Sequence, residues 1–79
     1  MRLKLSYKET RELEALPGEI EALEAEQLAL SEKMSGAEYY RQTLEVLRAD
    51  QARIAEIETL LMEKLERWHE LETKARIGV

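Results

Sequence analysis

Residues 13–34 read LEALPGEIEALEAEQLALSEKM, and the apolar positions of this stretch decide the fold. Steps of three and four residues separate the members of the stripe, which are Leu13, Leu16, Ile20, Leu23, Gln27, Leu30 and Met34. This spacing places all of them along one side of a helix, as in the seam of a coiled coil. The stretch therefore predicts a helix that packs lengthwise against a second helix.

A second stripe follows Gly36 and consists of Leu44, Leu47, Gln51, Ile54, Ile57 or Glu58, Leu61, Leu65, Trp68 and Leu71. Two striped helices joined by a short connection predict an antiparallel hairpin. If the turn centres near residue 39, the numbers of facing residues sum to about 77 or 78, which sets Leu23 against Ile54. The same register sets Gln27 against Gln51, so that the two polar members of the stripes face each other.

The helix limits follow from capping and from Pro17. Ser6 and Glu9 have the spacing of a capping box, which predicts that a helix begins at about residue 7. Pro17 disfavours helical geometry in the residue before it, so this helix should end or kink near residue 15. The predicted fold is all-α: an antiparallel two-helix coiled-coil hairpin, with a short N-terminal helix packed at its base. The predicted helices cover about 7–15, 17–34 and 42–75.

Length and composition limit the possible functions. The chain has 79 residues, which is one small domain, and it has no Cys and a single His. We therefore expect no disulfide, no metal site and no cofactor. A helical hairpin has no enclosed pocket, and the sequence contains no phosphate loop or catalytic triad, so we expect no catalysis. No apolar stretch is long enough to span a bilayer, so we expect a cytoplasmic, monomeric protein with no membrane partner.

Charge is distributed unevenly along the chain. Residues 1–11 carry a net charge of +3, residues 12–32 carry −7 and residues 33–79 carry −1. The hairpin returns the C-terminal end of the chain to the basic N-terminal end, where clustered cations suit phosphate groups and an aromatic ring can stack on a base. The predicted nucleic-acid-binding residues are Lys4, Tyr7, Lys8, Arg11, Lys64, Arg67, Lys74 and Arg76.

Several of these residues also have a purely structural interpretation. The cations can pair with nearby glutamates as on any helix surface, and Arg67 has Glu63 and Glu70 within one turn. Trp68 continues the apolar stripe, so it is either a core anchor at the base of the hairpin or a platform for a base. The two tyrosines of the tip either pack under the turn or contact a partner.

Four segments resemble the C-terminal coiled-coil domain of Uup-type ABC-F ATPases. They are KLSYK at 4–8, RELEALP at 11–17, IEALE at 20–24 and ERWHELE at 66–72. The resemblance implies that residues 1–79 are one domain excised from the C-terminus of a larger ATPase, whose ATP-binding cassettes are absent here. It implies a non-catalytic domain that binds nucleic acid, with DNA as the first partner and ribosomal RNA as the second. The alternative is a coiled-coil spacer, or a module for contact with proteins or ribosomes, that does not itself bind nucleic acid.

Overall fold

The chain forms two long helices that run antiparallel. The computed structural model describes residues 5–77. Helix α1 spans Tyr7–Met34, a 3-10 turn spans Tyr39–Arg41, and helix α2 spans Leu44–Ile77. Together they make a rod of 61 × 16 × 16 Å. The all-α antiparallel hairpin predicted from the sequence is confirmed.

Both helices begin at side-chain caps. The amide of Glu9 donates to Ser6 Oγ at 3.1 Å, and the amide of Ser6 donates to Glu9 Oε1 at 2.9 Å, which is the capping box expected from the sequence. At the start of α2 the amide of Val46 donates to Thr43 Oγ1 at 3.3 Å. These side chains satisfy amides that have no partner inside a helix, and they fix where each helix begins.

Pro17 does not divide the first helix. One helix runs from Tyr7 to Met34 with Pro17 inside it, where the sequence predicts separate helices over about 7–15 and 17–34. Leu16 and Leu23 are both buried, one on each side of the proline along the chain. Packing against α2 therefore holds both segments on one axis, and the proline removes a single backbone hydrogen bond on the exposed side.

The connection between the helices is built around Tyr39. Its side chain is 3% exposed, and its hydroxyl donates to Asp50 Oδ2 at 3.0 Å. Tyr40 is exposed and meets the Tyr39 ring edge-on, so one tyrosine packs under the turn and the other faces solvent. The turn needs no left-handed backbone at Gly36, since no residue between 5 and 77 has a positive φ. Ser35 ends α1 in a right-handed conformation, and its hydroxyl donates to the carbonyl of Glu32.

The register between the helices differs from the predicted one. Five ion pairs of 2.7–2.9 Å join α1 to α2: Lys33–Asp50, Glu26–Arg53, Glu19–Lys64, Glu12–Arg67 and Glu9–Lys74. The residue numbers in these pairs sum to 79 or 83, so facing positions sum to about 81 rather than 77 or 78. Ile57 is fully buried and Glu58 is exposed, which settles the position that the sequence left open.

Candidate nucleic-acid interface

The start of α1 and the end of α2 meet at the base of the hairpin. Lys74 Nζ donates to both carboxylate oxygens of Glu9, at 2.9 and 3.0 Å, which ties the last turns of α2 to the first turn of α1. Arg76 follows two residues later and is exposed. The basic residues at the start of α1 and at the end of α2 therefore lie at the same end of the rod, as the hairpin predicted.

Three of the predicted residues lie on the first two turns of α1 and point into solvent. Tyr7 is 77% exposed, and Lys8 and Arg11 are exposed as well. Arg11 Nη1 donates to the Tyr7 hydroxyl at 3.1 Å, and the guanidinium carbon lies 5.9 Å from the centre of the Tyr7 ring. Within residues 5–77, neither Lys8 nor Arg11 forms an ion pair. We call Tyr7, Lys8, Arg11 and Arg76 the exposed basic end.

Three other predicted residues are held by glutamates of α1. Arg67 makes a two-pronged contact with Glu12, at 2.7 and 3.0 Å, and also bonds Glu70 at 3.1 Å. Lys64 bonds Glu19 at 2.8 Å, and Lys74 is bound to Glu9. These three cations therefore follow the structural interpretation that the sequence left open. Lys4, the remaining predicted residue, lies outside the described residues.

Hydrogen bonds lower the pKa of three of the glutamates of α1, Glu9, Glu12 and Glu26. Hydrogen bonds from the Ser6 amide and from Lys74 lower the pKa of Glu9 to about 2. The hydrogen bond from Arg67 lowers the pKa of Glu12, and the one from Arg53 lowers the pKa of Glu26. Each pair is therefore charged on both sides, so it presents little net charge to a phosphate group.

The five inter-helix pairs of 2.7–2.9 Å lie along one side of the rod, and we call them the ion-pair ladder; Arg67 also lies 3.9 Å from Glu9. Their α1 members are spaced by three or seven residues, as expected for one helix face: Glu9, Glu12, Glu19, Glu26 and Lys33. Sequence reasoning missed the ladder because it treated the acidic segment of α1 as a block. The usable signal was that the α2 cations also share one helix face, since they are 11, 3 and 7 residues apart: Arg53, Lys64, Arg67 and Lys74.

The described part of the chain contains neither a metal site nor a membrane-spanning helix. Between residues 5 and 77 there is no cluster of three or more His, Asp or Glu side chains that could hold a metal ion. In the same range neither helix is long and apolar enough to cross a membrane.

Comparison with known proteins places this geometry in a family. Residues 4–73 match the family model described as the ABC transporter C-terminal domain. The chain belongs to the ABC transporter C-terminal domain family. A solved structure of similar shape is the C-terminal domain of the Uup protein, which is described as a DNA-binding coiled coil motif. The TM-score is 0.86 at 39% identity, and the match covers 94% of this chain and 87% of that one.

Curated relatives of this ABC transporter C-terminal domain are much longer proteins. The chain is 42% identical over 69 residues to the ATP-binding protein Uup of Escherichia coli, covering 87% of this chain and 11% of that protein. It is 36% identical over 76 residues to an ATP-binding protein Uup-like of Haemophilus influenzae, covering 96% of this chain and 17% of that protein. The chain thus spans less than a fifth of the length of the curated relatives it matches.

Proposed function

We propose that this chain is a DNA-binding domain and that its exposed basic end makes the phosphate contacts. Two observations support the proposal. The solved C-terminal domain of Uup, which is 39% identical to this chain, is described as a DNA-binding coiled coil. The second observation, which carries the proposal, is that Lys8 and Arg11 are exposed cations that form no ion pair within residues 5–77.

The charge of the chain restricts where DNA can bind. The net charge is −5, so the protein as a whole repels DNA and any attraction has to come from a local cluster of cations. Along the ion-pair ladder, a phosphate would have to displace a glutamate such as Glu12 from Arg67 and would then lie beside that carboxylate. At the exposed basic end a phosphate meets cations without that cost, which favours this end over the sides of the rod.

The contact between Tyr7 and Arg11 gives the exposed basic end an aromatic surface. Arg11 holds the exposed Tyr7 ring through the hydroxyl, which reduces the motion of both side chains before a ligand binds. An exposed ring next to cations suits a nucleic acid with at least one unpaired base, because the base can stack while the backbone is neutralised. Single-stranded DNA, or a duplex with a frayed end, would use both features.

The proposal also covers the larger protein to which the domain would belong and its oligomeric state. By its relation to ATP-binding proteins of the Uup type, the chain would serve as a non-catalytic domain of a cytoplasmic ATPase. A monomer is favoured because the centre of the hairpin is packed within one chain, where Ile57 and Leu71 are almost completely buried. Ribosomal RNA remains the second candidate ligand, because its backbone presents the same phosphate chemistry.

Fluorescence anisotropy with duplex DNA, single-stranded DNA and a structured RNA tests the proposal. The informative variant is Lys8→Gln/Arg11→Gln. Its matched control is Arg41→Gln/Arg48→Gln, which removes the same charge near the tip from exposed positions; Arg41 pairs only with the equally exposed Glu38. We expect the first variant to lose most of its DNA affinity at low salt, and the control to retain it.

Two results would contradict the proposal. Equal loss of affinity in both variants would place the contact along the sides of the hairpin, and no binding by the unmodified chain at low salt would favour a spacer or protein-contact role. Tighter binding of the RNA than of either DNA would make RNA the ligand. Variants at Lys33 or Arg53 are unsuitable controls because both belong to the ion-pair ladder.

A further inference from the structure

The side of the hairpin away from the ion-pair ladder carries an open groove. It has a volume of about 450 Å³ and is lined by Pro17, Ile20, Glu21, Glu24, Leu65 and Trp68. The ladder side is instead lined by charged pairs such as Glu19 with Lys64. The two sides of the rod thus differ, since one is charged and the other is largely apolar. We call the open groove lined by Leu65 and Trp68 the apolar groove.

The fold leaves part of the apolar surface of this groove exposed. Leu65 is 50% exposed and Trp68 is half-buried, whereas Ile57, nearer the tip on the same helix, is fully buried. Single exposed leucines are common on protein surfaces. Here, however, Leu65 adjoins Trp68 and faces Ile20 and Pro17 across the groove. A leucine next to a tryptophan in one groove offers a place where an apolar side chain of a partner could pack.

The rim of the groove is acidic. Glu21 and Glu24 are exposed, and neither has an ion-pair partner within residues 5–77. On α2, Glu58 and Glu72 stand seven residues before and after Leu65, and therefore lie on the same strip of that helix. Between residues 12 and 32 the chain has seven glutamates and no basic residue. An occupant of this groove therefore meets negative charge on both helices.

We propose that the apolar groove binds a basic amphipathic helix of a partner protein. Apolar side chains at positions i, i+3 or i+4 and i+7 of such a helix would pack on Leu65 and Trp68, as in other helix-in-groove complexes. Its Lys and Arg side chains would face Glu21 and Glu24. Nucleic acid and anionic lipid are repelled by this rim, and a second copy of the chain would bring the same acidic strip against it.

The groove and the exposed basic end are separate surfaces. Pro17 lies ten residues from Tyr7 along α1, which is about 15 Å at the rise of a helix. The inference therefore does not rest on DNA binding, and one molecule has room for both ligands.

A labelled amphipathic Leu/Lys peptide, with Leu at the helix-in-groove spacing, tests the proposal. The same peptide with Glu in place of every Lys is the control ligand. We expect the Lys peptide to bind and to shift the emission of Trp68, the chain's single Trp, to shorter wavelength. We expect the Glu peptide not to bind, because the rim is acidic.

Paired variants locate the contact. Leu65→Gln should weaken binding of the Lys peptide about tenfold, whereas Met62→Gln, at a position 64% exposed and outside the groove, should not. Glu21→Gln/Glu24→Gln should weaken binding more than Glu63→Gln/Glu66→Gln, which removes the same charge elsewhere. Circular dichroism verifies that each variant remains helical.

Three outcomes would overturn the proposal. Failure of the unmodified chain to bind the Lys peptide at low salt would show that the groove does not recognise a basic helix. Equal binding of the Glu peptide, or equal effects of Leu65→Gln and Met62→Gln, would show non-specific adhesion. A dimer of the free chain that Leu65→Gln dissociates in sedimentation experiments would show that the occupant is a second copy.

Discussion

Truncation of Ile57 should remove a large part of the stability of this small hairpin. The side chain is 0% exposed, so Ile57→Ala takes three carbon atoms out of a fully buried site. At about 0.8 kcal/mol for each buried carbon, plus a small term for the cavity, the cost is about 3 kcal/mol. For a domain of this size each kcal/mol shifts Tm by about 4–8 °C, so Tm should fall by more than about 10 °C.

Leu65→Ala is the matched comparison because it also removes three carbon atoms from α2. Leu65 is 50% exposed, so the same arithmetic gives a cost of about 1 kcal/mol. Thermal unfolding of both variants, followed by circular dichroism at 222 nm, measures the difference. The register predicted from the sequence counts Leu65 as a core residue and leaves residue 57 open. Equal losses of stability in the two variants would refute the packing described here.

Two further predictions concern the base of the hairpin and the proline. The Tm difference between the unmodified chain and Glu9→Gln should be constant above about pH 5 and should shrink as the pH falls towards 2. The pKa of Glu9 is lowered from 4.5 to about 2, so the stabilising effect of the ionised carboxylate is lost as it is protonated. A difference equally large at pH 2 and pH 7 would contradict this. Pro17→Ala should stabilise the chain by about 2 kcal/mol in urea unfolding, because it restores an amide donor inside a continuous helix at an exposed position; a loss of stability would mean that the helix requires the proline.

The α1 stripe and the capping box were readable from the sequence because each depends on local spacing. Leu16 and Leu23 belong to the predicted stripe and are buried, and Ser6 caps α1 through Glu9. The continuity of α1 through Pro17 was not readable, because the intrinsic cost of a proline is local whereas the packing that outweighs it comes from α2. The contacts with α2 therefore explain why α1 is one continuous helix.

The register was ambiguous in the sequence because α2 carries apolar residues at adjacent positions. Leu60 and Leu61 fit different stripes, and Ile57 competes with Glu58, so apolar spacing alone allows more than one alignment. The cross-helix ion pairs select the observed one. The same pairs divide the predicted binding residues: they neutralise Arg67 and its neighbours in the ion-pair ladder, while Lys8 and Arg11 stay exposed. The distribution of charge along the sequence predicted a basic end. The register between the helices decides which cations of that end are held in ion pairs and which can contact a phosphate.

The salt dependence of duplex DNA binding tests the central claim most directly. Three phosphate contacts, one from each cation of the exposed basic end, give a slope of about −3 in a plot of log affinity against log salt concentration. Removal of two of these cations in Lys8→Gln/Arg11→Gln should reduce the slope to about −1, since each phosphate contact contributes about 0.9. An unchanged slope in this variant would contradict the account, because the phosphate contacts would then be made by other residues.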